Sequence, residues 1–448
     1  MIQLDTICAL ATPQGIGAIG VIRVSGERTF EVVNKIFKGR NLLKVDSHTI
    51  HFGTIRDSEI IVDEVLVAIF KTPRSFTKED VIEISCHGSD YIIRYILKLL
   101  LQNGCRMAQA GEFTQRAFMN GQFDLVQAEA VADLIAADSE AAHKTAMNLM
   151  RGGFSNQLKV LREELINFAS LVELELDFGE EDVEFAERDD LKSLILKIQK
   201  FLKDLIDSFD AGNVIKEGIP VAIIGPPNAG KSTLLNILLN EEKAIVTEIA
   251  GTTRDVIEDI LFIEGIKFRI IDTAGIRETK DVIESIGIER SKAAMRRAEI
   301  VLLLTDNQAI NEDFVLDFEE EKIIRVRNKI DLEEKPTEKP IRFLKPYRFV
   351  EISAKNNIGI EALKTAIVAK AKAKKQADTM LTNLRHFEHL VKANDALSEV
   401  LNGLDIGITG DFLAQDIRLS LHHLGEITGS ITSDDLLANI FSKFCIGK

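Results

Sequence analysis

Gly225-Pro-Pro-Asn-Ala-Gly-Lys-Ser232 satisfies the pattern G-x-x-x-x-G-K-[ST] at every position. In that pattern successive backbone N–H groups and a helix N-terminus converge on one anion. The stretch therefore predicts a phosphate cradle formed by Asn228, Ala229, Gly230, Lys231, Ser232 and Thr233. Lys231 is placed to reach the β- and γ-phosphates, and the Ser232 hydroxyl to ligate Mg²⁺. Downstream stand Asp272, Thr273, Ala274 and Gly275, after the expected strand Phe268-Arg-Ile-Ile271. An acid at a strand end holds Mg²⁺ through its water shell, and the glycine N–H can sense a γ-phosphate. Asn328, Lys329 and Asp331 follow another expected strand, Ile323-Ile-Arg-Val-Arg327. A carboxylate such as Asp331 accepts both N1–H and the exocyclic amine of guanine, whereas adenine lacks that donor pair and would leave it unpaired. Ser353, Ala354 and Lys355 would support the base from the other side. In this order the residues make the expected ligand GTP rather than ATP.

Between the first two motifs run Thr247, Glu248, Ile249, Ala250, Gly251, Thr252 and Thr253, in a Gly- and Thr-rich loop placed to cover the phosphates. Thr253 is the natural second protein ligand for Mg²⁺, opposite Ser232. The residue after Gly275 is Ile276, so the glutamine that would orient an attacking water is missing. Asn228 and the carbonyls of the 247–252 loop can together hold a monovalent cation beside the γ-phosphate, where an arginine finger would otherwise act. Glu284, on the helix expected next, is the best-placed acid to orient water. A helix-start carboxylate favoured by the dipole is the alternative for Glu284.

The elements that must position these groups follow from the spacing of apolar residues. Strands are expected at 219–224, 256–263, 267–271, 300–305, 322–327 and 348–352, with helices at 231–240, 284–297 and 358–375. That alternation predicts an α/β domain over residues 214–377. Residues 1–118 mix β-type runs (Gly17 to Val24, His48 to Phe52, Glu64 to Phe70) with a helix from Asp90 to Leu101, an α+β domain. Residues 119–213 and 378–448 are helical, and the run Asp177 to Asp190 reads as a solvated acidic loop. The simplest architecture is a nucleotide domain inserted into one all-α domain.

Composition narrows the function classes. The chain has 448 residues, room for about two to four domains. A net charge of −15 gives little non-specific attraction to nucleic acid, so any RNA contact should be local or shared with a more basic partner. With no Trp and 6% aromatic residues, a base-stacking platform is not expected. No apolar run approaches the roughly 18 residues of a membrane span, and the N-terminus lacks the build of a signal peptide. Cys8, Cys86, Cys105 and Cys445 show no metal spacing and are read as reduced thiols of a cytoplasmic protein. Lys370 to Lys375 reads as a solvated face.

Several further stretches carry a family resemblance over essentially the whole chain. They are Asp5-Thr-Ile-Cys-Ala-Leu-Ala-Thr-Pro-Gln-Gly-Ile-Gly17, Ser75-Phe-Thr-Lys-Glu-Asp80, Gly111-Glu-Phe-Thr-Gln-Arg-Ala-Phe118, Gly251-Thr-Thr-Arg-Asp255, and the ending Cys445-Ile-Gly-Lys448. With them the chain resembles the bacterial tRNA-modifying GTPases called MnmE or TrmE. The resemblance implies an α/β P-loop GTPase domain inserted into an all-α helical domain, preceded by an α+β folate-binding domain through which two copies dimerise. It implies a potassium-stimulated GTPase acting with an FAD-dependent MnmG-type protein in a heterotetramer. Together they would add a carboxymethylaminomethyl or aminomethyl group at C5 of the wobble uridine of certain tRNAs. By motif, Asn228, Thr247, Ile249 and Thr252 match the potassium site, Ser232 and Thr253 the Mg²⁺ ligands, and Glu284 the catalytic acid. Arg23, Glu83, Gln122 and Lys448 match the site for a formyl-tetrahydrofolate, where Gln122 replaces a frequent lysine. A tail carrying Cys445 would reach that site. A ribosome-assembly GTPase or a signalling switch remains open, because the nucleotide motifs alone are shared with both.

Overall fold

Apolar residues recurring at every second position organise the N-terminal part of the chain into a sheet with one face buried. The computed structural model describes residues 5–177, 188–242, 259–271, 295–306, 319–332, 349–372 and 381–447. They fall into two units, one of residues 1–135, 149–196 and 392–448, the other of residues 136–148 and 197–391.

In the first unit seven strands pair: β1 (Thr6–Leu10), β2 (Ile19–Ser25), β3 (Phe37–Lys38), β4 (Thr49–Asp57), β5 (Ile60–Phe70), β6 (Val81–His87) and β7 (Cys105–Met107). Their order is β3-β4-β5-β6-β2-β1-β7, antiparallel except for β1 with β7. Ile22 and Val24 of β2 and Ile82 and Ile84 of β6 enter the core. There they meet Phe30, Val33 and Ile36 of helix α1 (Thr29–Ile36) and Ile93, Ile96 and Leu100 of α2 (Asp90–Gln102). By the same alternation Arg23 and Glu83, directly paired across β2 and β6, stand on the opposite face.

The structure contains more strand than the sequence pattern predicts. β1, β3, β6 and β7 are added, β4 continues past Phe52 to Asp57, and β5 begins at Ile60. The β4–β5 hairpin closes on Ser58 and Glu59, with Ser58 at φ 54°. A left-handed residue is what such a turn requires, but Ser-Glu is not the Asn-Gly type signal by which it is usually recognised.

Helices α3 (Glu112–Met119), α4 (Leu125–Ala136), α5 (Glu140–Met150), α6 (Gly153–Asp177) and α7 (Arg188–Glu217) follow. Residues 178–187 of the acidic run lie outside the described residues. Near the C-terminus, α11 (Gly410–Thr428) ends on Gly429 at φ 81°, and Ser433 caps α12 (Asp434–Ser442) by accepting from Leu436 N–H. Leu437, Ile440 and Phe441 of α12 pack with Leu125 and Phe118. The tail then pairs along the N-terminal domain, Ile446 with Ala110, and Cys445 O accepts from Gly111 N–H at 3.3 Å.

The second unit is built on a six-stranded sheet. Its strands are β8 (Ile219–Ile224), β9 (Asp259–Ile263), β10 (Ile266–Ile271), β11 (Ile300–Thr305), β12 (Ile323–Arg327) and β13 (Phe349–Glu351), in the order β13-β12-β11-β8-β10-β9. All pairs are parallel except β9 with β10. Every residue of β8 and β11 is buried, as expected of parallel strands covered on both faces. Helices α8 (Lys231–Glu242) and α9 (Ile360–Lys372) contribute Leu234, Leu238, Leu363 and Ile367 to its core. On α9 the lysine run is not wholly a solvated face, because Lys370 Nζ donates to Ile323 O at 2.9 Å and burial pushes its ammonium down. Helix α10 (Leu384–Ile406) completes the described helices, and no described helix is long and apolar enough to cross a membrane.

A partly buried ion network ties the start of β1 to helix α3. Arg116, 9% exposed, donates to Asp5 Oδ1 at 2.6 Å and to Glu112 Oε1 at 3.0 Å, and lies 3.3 Å from Glu79. Arg106 completes it with 2.6 Å bonds to Asp5 and Glu112. Burial alone would raise the carboxyls of Asp5 and Glu112, but the two guanidiniums outweigh it and hold both below their ordinary values. Such groups stabilise the fold at neutral pH, and the contribution is lost as pH falls through their depressed folded-state values. Arg116→Met should therefore destabilise this unit by about 3–5 kcal/mol at pH 7. Thermal unfolding followed between pH 7 and 3 should show a shallower loss of stability in acid for the variant than for the parent.

Candidate functional site

All the described nucleotide motifs leave the C-terminal ends of the parallel strands, where α/β sheets of this kind bind ligands. Gly225 follows β8, Asn328 follows β12 and Ser353 closely follows β13. At Gly225 a Cβ would overlap Leu304 O, so only glycine lets the loop pass β11. The loop then turns through two left-handed residues, Asn228 at φ 62° and Gly230 at φ 95°. Asparagine tolerates that region better than most residues. A Cβ on Gly230 would collide with Asn328 Nδ2.

Lys231, Ser232 and Thr233 form the first turn of α8, with the N-terminal N–H groups and the positive end of the helix dipole directed at the loop. Lys231 Nζ donates to Gly225 O and Pro226 O, both at 2.9 Å, and burial lowers its pKa. An ammonium folded onto neutral carbonyls in this way can be taken over by a phosphate oxygen, a stronger acceptor.

The base side is joined to the phosphate side through one side chain. Asn328, 3% exposed, donates from Nδ2 to Ala229 O at 2.8 Å and accepts at Oδ1 from Ala354 N–H at 2.9 Å. Asp331 is exposed and accepts from Ser353 Oγ at 2.6 Å, which fixes the orientation of its carboxylate. Lys355, two residues after Ser353, is exposed. The structure thus links Ala229, Asn328 and Ala354 directly, and Asp331 with Ser353. Thr247, Glu248, Ile249, Ala250, Gly251, Thr252, Thr253, Asp272, Thr273, Ala274, Gly275 and Glu284 lie outside the described residues. For the Mg²⁺ and K⁺ sets this leaves Ser232 and Asn228 as the described members.

A second constellation lies on the other face of the N-terminal sheet, beside a small buried cluster of Ile7, Ala9, Ala108 and Phe113. Arg23 donates to Glu83 Oε1 from Nε at 2.9 Å and lies 2.8 Å from it through Nη2. Its Nη1 donates to Gly447 O at 3.4 Å, and its guanidinium sits 5.4 and 5.6 Å from the ring centres of Phe76 and Phe113. Gly447, at φ 96°, passes so close to Leu10 O that a Cβ would overlap it. Gln122 is exposed in the turn after α3, where Lys78 Nζ holds Gly121 O at 2.6 Å, and Lys448 lies outside the described residues. The sequence motifs contain Phe76 and Phe113 but give them no function. Only the fold brings their rings to Arg23, so periodicity could not have found them.

Strand order, phosphate loop and the Asn328–Asp331–Ser353 arrangement define the second unit as a P-loop domain of the GTPase type. A family model described as "MnmE helical domain" matches residues 125–445, and one described as "GTP-binding protein TrmE N-terminus" matches residues 6–122. Relatives named tRNA modification GTPase MnmE are 57% identical in Cytophaga hutchinsonii, covering 99% of this chain and 98% of that protein, and 51% identical in Christiangramia forsetii, covering 99% of each. The Bacteroides fragilis relative of the same name is 52% identical over 99% of both chains. The chain belongs to the MnmE family of tRNA modification GTPases. Among solved structures, the G domain of the T. maritima FeoB iron transporter is 25% identical over 34% of this chain and 99% of its own, with a TM-score of 0.24.

The geometry of Asp331 carries a direct test. An amide in its place donates where guanine also donates, but matches the 2-oxo group of xanthine. Asp331→Asn should weaken GDP binding by about two orders of magnitude or more and bring in xanthosine diphosphate. Fluorescent-nucleotide titration reads both, and unchanged GDP affinity would exclude Asp331 from base recognition.

Proposed function

We propose that this protein hydrolyses GTP to drive the modification of tRNA at C5 of the wobble uridine. An FAD-dependent partner of the MnmG type would act with it in adding a carboxymethylaminomethyl or aminomethyl group. The observation that carries this reading is the full-length match to proteins named tRNA modification GTPase MnmE, 99% of this chain in the Cytophaga hutchinsonii case. The nucleotide domain alone would suit a ribosome-assembly factor equally well. Its flanks, an N-terminal TrmE-type domain and an MnmE-type helical domain, do not fit that alternative.

Asn328, Asp331 and the Ser353–Lys355 loop would hold the guanine, while Asn228 to Thr233 would hold the phosphates. Mg²⁺ would be held by Ser232 and Thr253 and would supply positive charge against the phosphates. Asn228 is already turned into the left-handed conformation within the phosphate loop, which suits a side chain offered to a cation beside it. With Thr247, Ile249 and Thr252 it would hold K⁺, which supplies positive charge where negative charge grows during transfer. Ile276 cannot orient water, so Glu284 is assigned that task and Lys231 the neutralisation of phosphate charge.

Arg23, Glu83, Gln122 and Lys448 are proposed to hold a formyl-tetrahydrofolate, the source of a one-carbon unit. Arg23 fits a carboxylate- or amide-bearing ligand because two aromatic rings and Glu83 fix its guanidinium. Ile50, Phe52 and Leu66 leave an exposed apolar patch on the same N-terminal domain, which suits its proposed use as the dimer contact. Work on tRNA fits a cytoplasmic protein.

Steady-state GTP turnover in K⁺ and in Na⁺ at equal ionic strength tests the cation mechanism. Turnover should be at least about tenfold higher in K⁺, and Glu284→Ala should remove about two orders of magnitude or more. Equal rates in the two salts would eliminate the cation, and an unaffected Glu284→Ala enzyme would eliminate that residue.

A further inference from the structure

Asp306 belongs to none of the nucleotide motifs, yet it stands among them. It follows the last residue of β11, and Thr305 O accepts the Asn328 backbone N–H at 2.8 Å. Thr305 pairs with Arg327 in parallel register, so Asp306 and the loop bearing Asn328 and Asp331 leave the sheet side by side. Asp306 Oδ2 accepts from Lys329 Nζ at 3.0 Å, the carboxylate being 12% exposed and the lysine side chain 34%. Asp306 Oδ1 is buried and has no hydrogen-bond partner among the described residues.

Two features separate this pair from an ordinary surface ion pair. A largely buried carboxylate with one oxygen unsatisfied depends strongly on the one cation that reaches it among the described residues. Lys329 is therefore held, not merely attracted. The backbone of Lys329 is also left-handed, at φ 66°, a conformation that long L side chains rarely adopt and that persists only where surrounding contacts impose it. The contacts that impose it are the Asn328 N–H to Thr305 O bond, the Ile330 N–H to Ile352 O bond at 3.3 Å, and the Asp306 ion pair. This reversal lies between Asn328, which holds the phosphate loop, and Asp331, which is held by Ser353 and would meet the base. A small rotation at Lys329 would swing the Asp331 carboxylate relative to the phosphate loop.

We propose that Asp306 is a specificity-determining positioning residue for the guanine nucleotide. It acts through Lys329, fixing the turn that sets the distance between phosphate loop and Asp331. The proposal rests on the guanine reading of the site, since Asp331 must meet the base for its position to matter.

The experiment compares equilibrium binding of GDP and inosine diphosphate to the full-length chain, its Asp306→Ala and Asp306→Asn variants, Lys329→Met, and the Asp306→Ala/Lys329→Met double variant. Inosine diphosphate lacks only the exocyclic amine that Asp331 would accept. Asp306→Ala should lose about tenfold or more in GDP affinity, the worth of one charge-assisted bond, and distinctly less for inosine diphosphate. The ratio of the two affinities, not just their level, should therefore fall. Asp306→Asn keeps the shape, so it should fold even where the alanine variant does not, and its ratio should fall in the same direction. The double variant should bind no more weakly than Asp306→Ala alone. Equal losses for the two nucleotides would reduce Asp306 to a structural support and overturn the proposal, as would strictly additive losses in the double variant. A parent chain that itself failed to prefer GDP would overturn the guanine reading, an outcome distinguishable from either.

Discussion

The nucleotide site depends on one buried amide. Asn328 leaves β12 inside the sheet and must satisfy its donor and acceptor there, because an unpaired buried polar group is costly. It does so by bonding the phosphate loop at Ala229 and the following loop at Ala354. Three segments far apart in sequence thereby acquire one geometry. The glycines follow from this closeness: Gly230 has no room for a side chain beside Asn328, and Gly225 has none beside Leu304. Rigidity at the strand ends then allows exposed groups such as Asp331 to be aimed at a ligand without being buried themselves.

The N-terminal domain solves a different problem by joining the two ends of its chain. Arg23 contacts Gly447 across 424 residues, and the tail is carried there by α12 packing on Leu125 and Phe118. The beginning of the chain is held in turn by Asp5 in the Arg106–Arg116 network. A site assembled this way depends on the packing of α12 as well as on the sheet. That makes the proposed folate site sensitive to changes in α12, remote in sequence from Arg23.

Much of the nucleotide domain was legible because local chemistry and local structure coincide there. Continuous apolar runs marked β8 and β11, and the motif residues marked the loops that follow the strands. GTP as ligand could be argued from Asp331 once the phosphate loop before it and Ser353–Lys355 after it stood in order. Less was legible in the N-terminal sheet: β7 spans only Cys105–Met107, and the Ser58–Glu59 turn hides the length of β4. The Arg116 network, the rings around Arg23 and the Asp306–Lys329 pair escape sequence reading for a common reason. Each joins residues whose proximity is set by strand order rather than spacing. The aspartate at 306 looks like any polar residue ending a strand until its lysine is seen.

The two units divide the proposed chemistry, with GTP assigned to the strand ends of one and the one-carbon ligand to the Arg23 face of the sheet in the other. The central claim is that the first is used to modify tRNA. It is tested most directly by nucleoside mass spectrometry of total tRNA from cells lacking the gene. The account predicts loss of the C5-modified wobble uridine, restored by the wild-type gene and not by one carrying Lys231→Ala. An unchanged uridine profile in the deletion strain would contradict it.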